Sequence, residues 1–145
     1  MGTHMIFGIG VDLVHIPRIA RVWQRWGDRF ILRIFTQDER KLCLSRANPA
    51  AAFALRFAAK EAFSKAIGLG MRQGMQWRDI EVFHHPGGRP GLRVYGAAQA
   101  HCRKRGIRGM HVSLSDEKAY GTAVVILEKE AEESAPPRAA PGDGL

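Results

Sequence analysis

One carboxylate set in a row of cations stands out in the stretch Arg56-Phe57-Ala58-Ala59-Lys60-Glu61-Ala62-Phe63-Ser64-Lys65-Ala66. On a helix of about 3.6 residues per turn, Phe53, Phe57 and Glu61 share one flank, while Arg56, Lys60 and Ser64 share the next. One reading is a solvated helix face on which Glu61 pairs with Lys65 at i, i+4, worth about a few tenths of a kcal/mol. The other is a site, and a second acid gives it weight. Asp12 closes the run Gly8-Ile9-Gly10-Val11-Asp12. A lone Asp there is commonly a cap or turn residue. If Asp12 and Glu61 converge, however, they make a hard-oxygen site with open positions, suited to Mg²⁺ held by one or two carboxylates plus substrate phosphates.

Arg18, Arg56, Lys60 and Lys65 are candidate phosphate ligands, and Gly88-Arg89-Pro90 offers backbone N–H groups. Phosphoryl transfer asks mainly for such positioning and charge neutralisation. No P-loop is present, because the segment from Gly68 to Gly74 lacks a Gly-Lys-Ser/Thr ending. His111-Val112-Ser113-Leu114-Ser115-Asp116 holds the residue types of a serine hydrolase. Along a strand, though, His111, Ser113 and Ser115 merely share a face, and a triad is defined by geometry. His84 and His85 flank a turn and read as surface residues.

The elements that must position these groups follow from periodicity. Residues 5–14 read as a strand interrupted by two glycines, a sign of close backbone approach. Pro17 opens an amphipathic helix to about Trp26, with Ile16, Ile19, Ala20 and Trp23 on one side and Arg18, Arg21 and Arg25 on another. Residues 29–35 read as a mixed apolar and basic connection. Thr36-Gln37-Asp38-Glu39 is a capping-box signature for a helix to about Ser45. The Ala-rich run from Pro49 to Ile67 predicts a long helix that stops at Gly68. Beyond it, the alternation predicts strands at 80–84, 92–95, 109–115 and 121–128, the last Val/Ile/Leu-rich and therefore central. A turn at 85–90 and a short helix at 97–105 separate them. Helices cluster in the first half and strands in the second, which predicts an α+β fold.

The chain has 145 residues and a formal charge of +8, enough for one domain with its own core. Residues 1–4 precede a second Met and read as a leader left from expression, residues 5–129 as the domain, and residues 130–145, rich in Glu, Ala, Pro and Gly, as a disordered tail. The excess of basic residues favours anionic partners without choosing among them. Cys43 and Cys102 suit neither a disulfide framework nor a zinc site. No apolar run is long enough to span a membrane and no cationic leader precedes Met5, so a cytoplasmic location is expected. A nucleic-acid module would need stacking aromatics on its strands, where only Phe83 and Tyr95 stand out. A membrane-surface helix at 17–33 would need an apolar face that packing already requires.

Three motifs in order carry a resemblance that runs from Ile6 to Glu128. They are Gly8-Ile9-Gly10-Val11-Asp12 followed by Arg18, the Arg56 to Ala66 segment, and His111-Val112-Ser113-Leu114-Ser115-Asp116 leading into Ala123-Val124-Val125-Ile126. Together they resemble the holo-acyl carrier protein synthases of the phosphopantetheinyl transferase superfamily. The resemblance implies that superfamily's fold, an antiparallel sheet packed on a long helix. It also implies transfer of 4'-phosphopantetheine from coenzyme A to a serine of apo-acyl carrier protein, in fatty acid biosynthesis. Asp12 and Glu61 would hold Mg²⁺, and Lys60 would act with them by neutralising phosphate. Lys60, Ser64, Arg56, Gly88, Arg89 and Pro90 would bind coenzyme A, and Arg18, Arg25, Arg29 and Arg33 would dock the acidic carrier protein. From Arg18 to Arg46 the chain has eight basic and three acidic residues, in keeping with such a partner. Family members resemble homotrimers with interfacial sites, so the Asp12–Glu61 pair need not form within one chain. Asp116 and Glu117 replace the His and Thr that many members carry, and a structural turn is expected there. The base for the acceptor serine stays open between a water on the metal, Glu61 and another carboxylate such as Asp38.

Overall fold

Two glycines on one strand decide how this molecule is assembled. In the computed structural model, which describes residues 3–131, strand β1 (His4–His15) runs with Gly8 and Gly10 against the long helix α4 (Pro49–Ile67). A Cβ on Gly8 would lie 1.9 Å from the Ala66 carbonyl oxygen, and one on Gly10 would lie 1.8 Å from that of Ala62. Backbone therefore meets backbone. Two strand residues and four helix residues both advance about 6–7 Å, so the contacts stay in step along both elements. The next residue on that face of β1 is Asp12.

Between them come α1 (Ile16–Trp26), α2 (Asp28–Ile34) and α3 (Gln37–Leu44). After α4 follow a short 3₁₀ turn (Trp77–Asp79), β2 (Ile80–His84), β3 (Pro90–Val94), α5 (Gly96–Lys104), β4 (Ile107–Glu117) and β5 (Tyr120–Glu130). β1, β5 and β4 form an antiparallel sheet with β5 in the middle, as its composition predicted, and β2 and β3 form a separate hairpin. The architecture is the expected α+β arrangement of an antiparallel sheet on a long helix.

α4 keeps its predicted ends because both are capped: the Asn48 side chain accepts from the Ala51 N–H, and Gly68 takes the left-handed conformation with φ 83°. Ala58, Ala59, Ala62, Phe63 and Ala66 pack with Ala123, Val125 and Leu127 of β5 and with Ile80, Val82 and Leu92 of the hairpin. A second cluster of Ile31, Ile34, Phe35, Cys43, Ala52 and Phe53 forms at the first turns of α4. The Thr36 capping box forms as expected, with Thr36 Oγ1 accepting from the Glu39 N–H and Glu39 Oε1 accepting from the Thr36 N–H.

Two expectations change. Residues 29–35 are not a connection but mostly helix α2, because Ile31 and Ile34 recur at helical spacing and bury in the second cluster, while Gly27 at φ 57° turns the chain between two helices. Asp12 is not a cap: it lies inside β1 opposite Ala123, and the strand continues to His15. The sheet also takes in both expected margins, since His4 pairs with Glu130 and the Ala131 N–H donates to the Thr3 carbonyl at 2.6 Å. Most of the tail read as disordered, residues 132–145, lies outside the described residues. Among the described residues, no helix is long and apolar enough to cross a membrane.

The glycine contact yields a direct prediction. Gly10→Ala is expected to lower unfolding free energy by about 2 kcal/mol or more, since backbone oxygen cannot yield as a flexible side chain would. Urea denaturation measures the loss, and an unchanged midpoint would refute the backbone contact.

Candidate active site

The strand-to-helix register brings Asp12 to the flank of α4 that carries Glu61 and Lys65. With Arg18, Phe57 and His15 they line a cavity of about 270 Å³. The two carboxylates thus meet within one chain, and no second subunit is needed to bring them together. Lys65 Nζ donates to Asp12 Oδ1 and to the Val11 carbonyl, both at 3.0 Å. Lys65 thus pairs with Asp12 and not with Glu61 as the solvated-face reading has it, because β1 supplies a partner that the isolated helix lacks. Burial first, and then the charge of Asp12, push the Glu61 carboxyl above its ordinary value, with Lys65 opposing. A cation between the acids would relieve that crowding. Among the described residues no group of three or more His, Cys, Asp or Glu side chains gathers. Two carboxylates with open positions fit Mg²⁺, which commonly keeps water and substrate phosphate as its other ligands.

Lys60 points elsewhere. Its ammonium is fully buried and donates to Glu39 Oε1 at 2.7 Å, to the Trp77 carbonyl at 3.1 Å and to the Ile80 carbonyl. Burial lowers its pKa, and Glu39 opposes the shift. Glu39 Oε2 in turn accepts from the Val82 N–H at 3.0 Å. Lys60 therefore ties α3, α4 and β2 together from within, and in this arrangement it does not reach a ligand in the cavity. Lys65, five residues further on and on the flank that meets β1, is the α4 lysine that lines the cavity. Ser64 is buried as well, its hydroxyl donating to the Glu61 carbonyl at 2.6 Å.

A second cleft, of about 390 Å³, adjoins the first part of α4. Arg56, Arg46, His84, Gly88, Pro90 and Asp116 line it, so three of the expected coenzyme A residues share one cleft. Arg89 is exposed, and it is its carbonyl that accepts from the His85 N–H at 2.8 Å. The Gly88 N–H closes the turn on the His85 carbonyl at 2.9 Å rather than facing a ligand. Arg56 is only 3% exposed; its Nη1 donates to the Ala52 carbonyl at 2.9 Å, and its Nη2 lies 3.4 Å from His84 Nε2. Arg56 Nε and His84 Nδ1 are buried without partners. His84 is therefore half-buried cleft wall and not the surface residue its place beside a turn predicted. Asp116 belongs to the cleft too, within strand β4 and not in a turn. Pattern alone offered no sign of His84 or Arg46, whose placement depends on the β2–β3 hairpin folding back on α4.

The basic residues expected at a docking surface divide. Arg18 joins the Asp12–Glu61 cavity, whereas Arg29 and Arg33 line a cavity of about 550 Å³ with Val22, Trp26, Phe30 and Trp77. Arg25 lies over the Trp26 ring at 5.2 Å. His111 is paired with Glu128 at 3.1 Å on the exposed side of β4, which leaves the serine-hydrolase reading without a triad.

Residues 8–125 match the model of the 4'-phosphopantetheinyl transferase superfamily. The chain is similar to the holo-[acyl-carrier-protein] synthase of Koribacter versatilis, at 51% identity over 86% of this chain and 99% of the relative. It is 44% identical to that of Geobacter metallireducens over 86% and 99%. Among solved structures, holo-[acyl-carrier-protein] synthase from Neisseria meningitidis superposes with a TM-score of 0.79 at 39% identity, covering 86% of this chain and 100% of that one. The Helicobacter pylori enzyme in complex with coenzyme A gives 0.74 at 28% identity, covering 82% and 98%.

Proposed function

The chain belongs to the 4'-phosphopantetheinyl transferase superfamily, and from that premise we propose that it transfers 4'-phosphopantetheine from coenzyme A to a serine of apo-acyl carrier protein, releasing adenosine 3',5'-bisphosphate. The observation that carries the reading is the Asp12–Glu61–Lys65 cavity beside Arg18. Asp12 and Glu61 would hold Mg²⁺, which when bound supplies positive charge to the pyrophosphate as the phosphoanhydride breaks. Lys65, anchored on Asp12, orients that carboxylate and adds a cation at the cavity wall. Arg56, with Gly88 and Pro90, binds the nucleotide end of coenzyme A, an assignment supported by its unpartnered Nε–H. Lys60 and Ser64 act as positioning residues, holding the turn of α4 that presents Glu61. The reaction belongs to fatty acid biosynthesis in the cytoplasm, where the free thiols Cys43 and Cys102 are in keeping.

The carrier protein docks along α1 and α2 through Arg18, Arg25, Arg29 and Arg33, with Trp26 offering apolar surface. Arg25→Glu is expected to raise KM for carrier protein about tenfold and to leave KM for coenzyme A unchanged, because a rim charge acts on encounter with an acidic partner. An unchanged carrier-protein KM in steady-state assays would remove Arg25 from the docking surface. The protein assembles as a homotrimer through the outer face of its sheet. Ile9, Val11 and Leu13 alternate on that face, Leu13 being 68% exposed, and lie opposite Ile126, Val124 and Thr122 of β5. A row of this kind suits an interface between copies.

Incubation with coenzyme A, Mg²⁺ and an apo-acyl carrier protein tests the function. The carrier protein is expected to gain the mass of one phosphopantetheine, and failure to gain it would overturn the proposal.

A further inference from the structure

The cleft at Arg56 contains an unusual pairing, an arginine against a histidine. A guanidinium has only donors, so with Arg56 Nη2 at 3.4 Å, His84 Nε2 must present its lone pair and Nδ1 must carry the proton. Burial, followed by the charges of Arg56 and Arg46, favours this neutral form. Two donors are then left without acceptors, Arg56 Nε–H and His84 Nδ1–H. Buried donors are rarely left so.

Coenzyme A carries a pyrophosphate and a 3'-phosphate. If the pyrophosphate occupies the Asp12–Glu61 side, the 3'-phosphate is left for this cleft. The charged groups facing His84 are Arg56 from α4, Arg46 from the segment before it and Asp116 from β4. A phosphate monoester brings about two negative charges. Two guanidiniums cannot balance that phosphate together with the Asp116 carboxylate, and one negative charge remains. Protonation of His84 would cancel it.

We propose that Arg56 and His84 form a proton-coupled clamp for the 3'-phosphate of coenzyme A, in which Nε2 of His84 takes a proton from solvent as the phosphate enters. The phosphate accepts from Arg56 Nη2–H and His84 Nε2–H, which would otherwise be two donors facing each other, and from the unpartnered Arg56 Nε–H. His84 is thus a binding residue for the nucleotide, and it makes affinity rise as pH falls. The inference rests on the functional reading above.

Calorimetric titration of the whole protein with coenzyme A near pH 7, in buffers of different ionisation enthalpy, reads the proton directly. Net uptake is expected, together with a Kd that tightens about three- to tenfold between pH 8 and pH 6, the full limit being about tenfold per pH unit for one proton. The second ionisation of the ligand phosphate, near pH 6, works in the opposite direction. His84→Asn should lose the uptake, and its Kd for coenzyme A should weaken rather than tighten as the pH falls toward 6, the direction set by the ligand phosphate alone. 3'-Dephospho-coenzyme A should produce no uptake with the wild type. Binding of coenzyme A without uptake, uptake that survives in His84→Asn, or uptake with the dephospho ligand would each overturn the clamp and leave the functional reading standing. Absence of coenzyme A binding would overturn both. The wild-type measurement needs no variant, so a poorly folding substitution does not shield the proposal.

Discussion

Glu61→Gln is expected to abolish pantetheinyl transfer, by about a thousandfold or more, in a protein that folds as well as the wild type. Glu61 lies beside Asp12 in a small cavity, and burial and that neighbouring charge already hold its carboxyl above the ordinary range. Without a bound cation, an ionised Glu61 therefore works against folding. Replacing it with the isosteric amide removes the repulsion and leaves stability equal or slightly higher, a trade commonly found at functional sites. The same change removes half of the carboxylate pair proposed to hold Mg²⁺, and charge stabilisation of this kind is commonly worth about a hundred- to a thousandfold per group. Mass-shift assays with coenzyme A and apo carrier protein, run beside thermal unfolding, check both halves. Full activity would sink the metal assignment, and a large fall in Tm would show Glu61 to be structural.

Glu39→Ala is expected to be the most destabilising single change in the polar interior, at about 3–5 kcal/mol, because it strands a buried ammonium. Lys60 would keep the carbonyls of Trp77 and Ile80 but lose the carboxylate to which it donates, and α3 would lose its capping box. Lys60→Met should cost less, since Glu39 retains the Thr36 and Val82 N–H groups. The double substitution should cost clearly less than the sum of the singles, as expected for residues in one network. Urea unfolding of the four proteins measures this coupling. Activity supplies a second readout. If Lys60 is a positioning residue, Lys60→Met loses transfer only as far as it loosens α4. A fold-competent Lys60→Met with a hundredfold loss would restore the phosphate-binding role that the motif resemblance implies.

Much of this could be read in the chain. The Asn48-Pro49 start and Gly68 stop of α4, the Thr36 capping box and the central place of β5 are local signals, each complete within a few residues. Gly8, Gly10 and Asp12 share a strand face by simple alternation, which is why a close approach next to an acid was foreseeable. α2 escaped because it has only seven residues, with arginines at 29 and 33 between its apolar positions, and its hydrophobic pattern gains meaning only against Phe53 and Cys43. His84 escaped because nothing near it in sequence indicates that Arg56, twenty-eight residues earlier, becomes its neighbour.

By itself, then, the sequence determined most of the elements, the caps of α3 and α4, the α+β class and an inventory of acids and cations on one helix. What each cation does was decided by tertiary structure. Lys60 and Lys65 are the same residue type on the same helix, five positions apart and so on different flanks. One flank meets α3 and β2, where Glu39, twenty-one residues away, neutralises Lys60 in the core. The other meets β1, where Asp12, fifty-three residues away, holds Lys65 at the cavity. Helical periodicity says which residues share a flank. Only the packing of distant segments says whether that flank faces a buried carboxylate or an open site, and for a charged group that difference in surroundings separates a structural role from a chemical one.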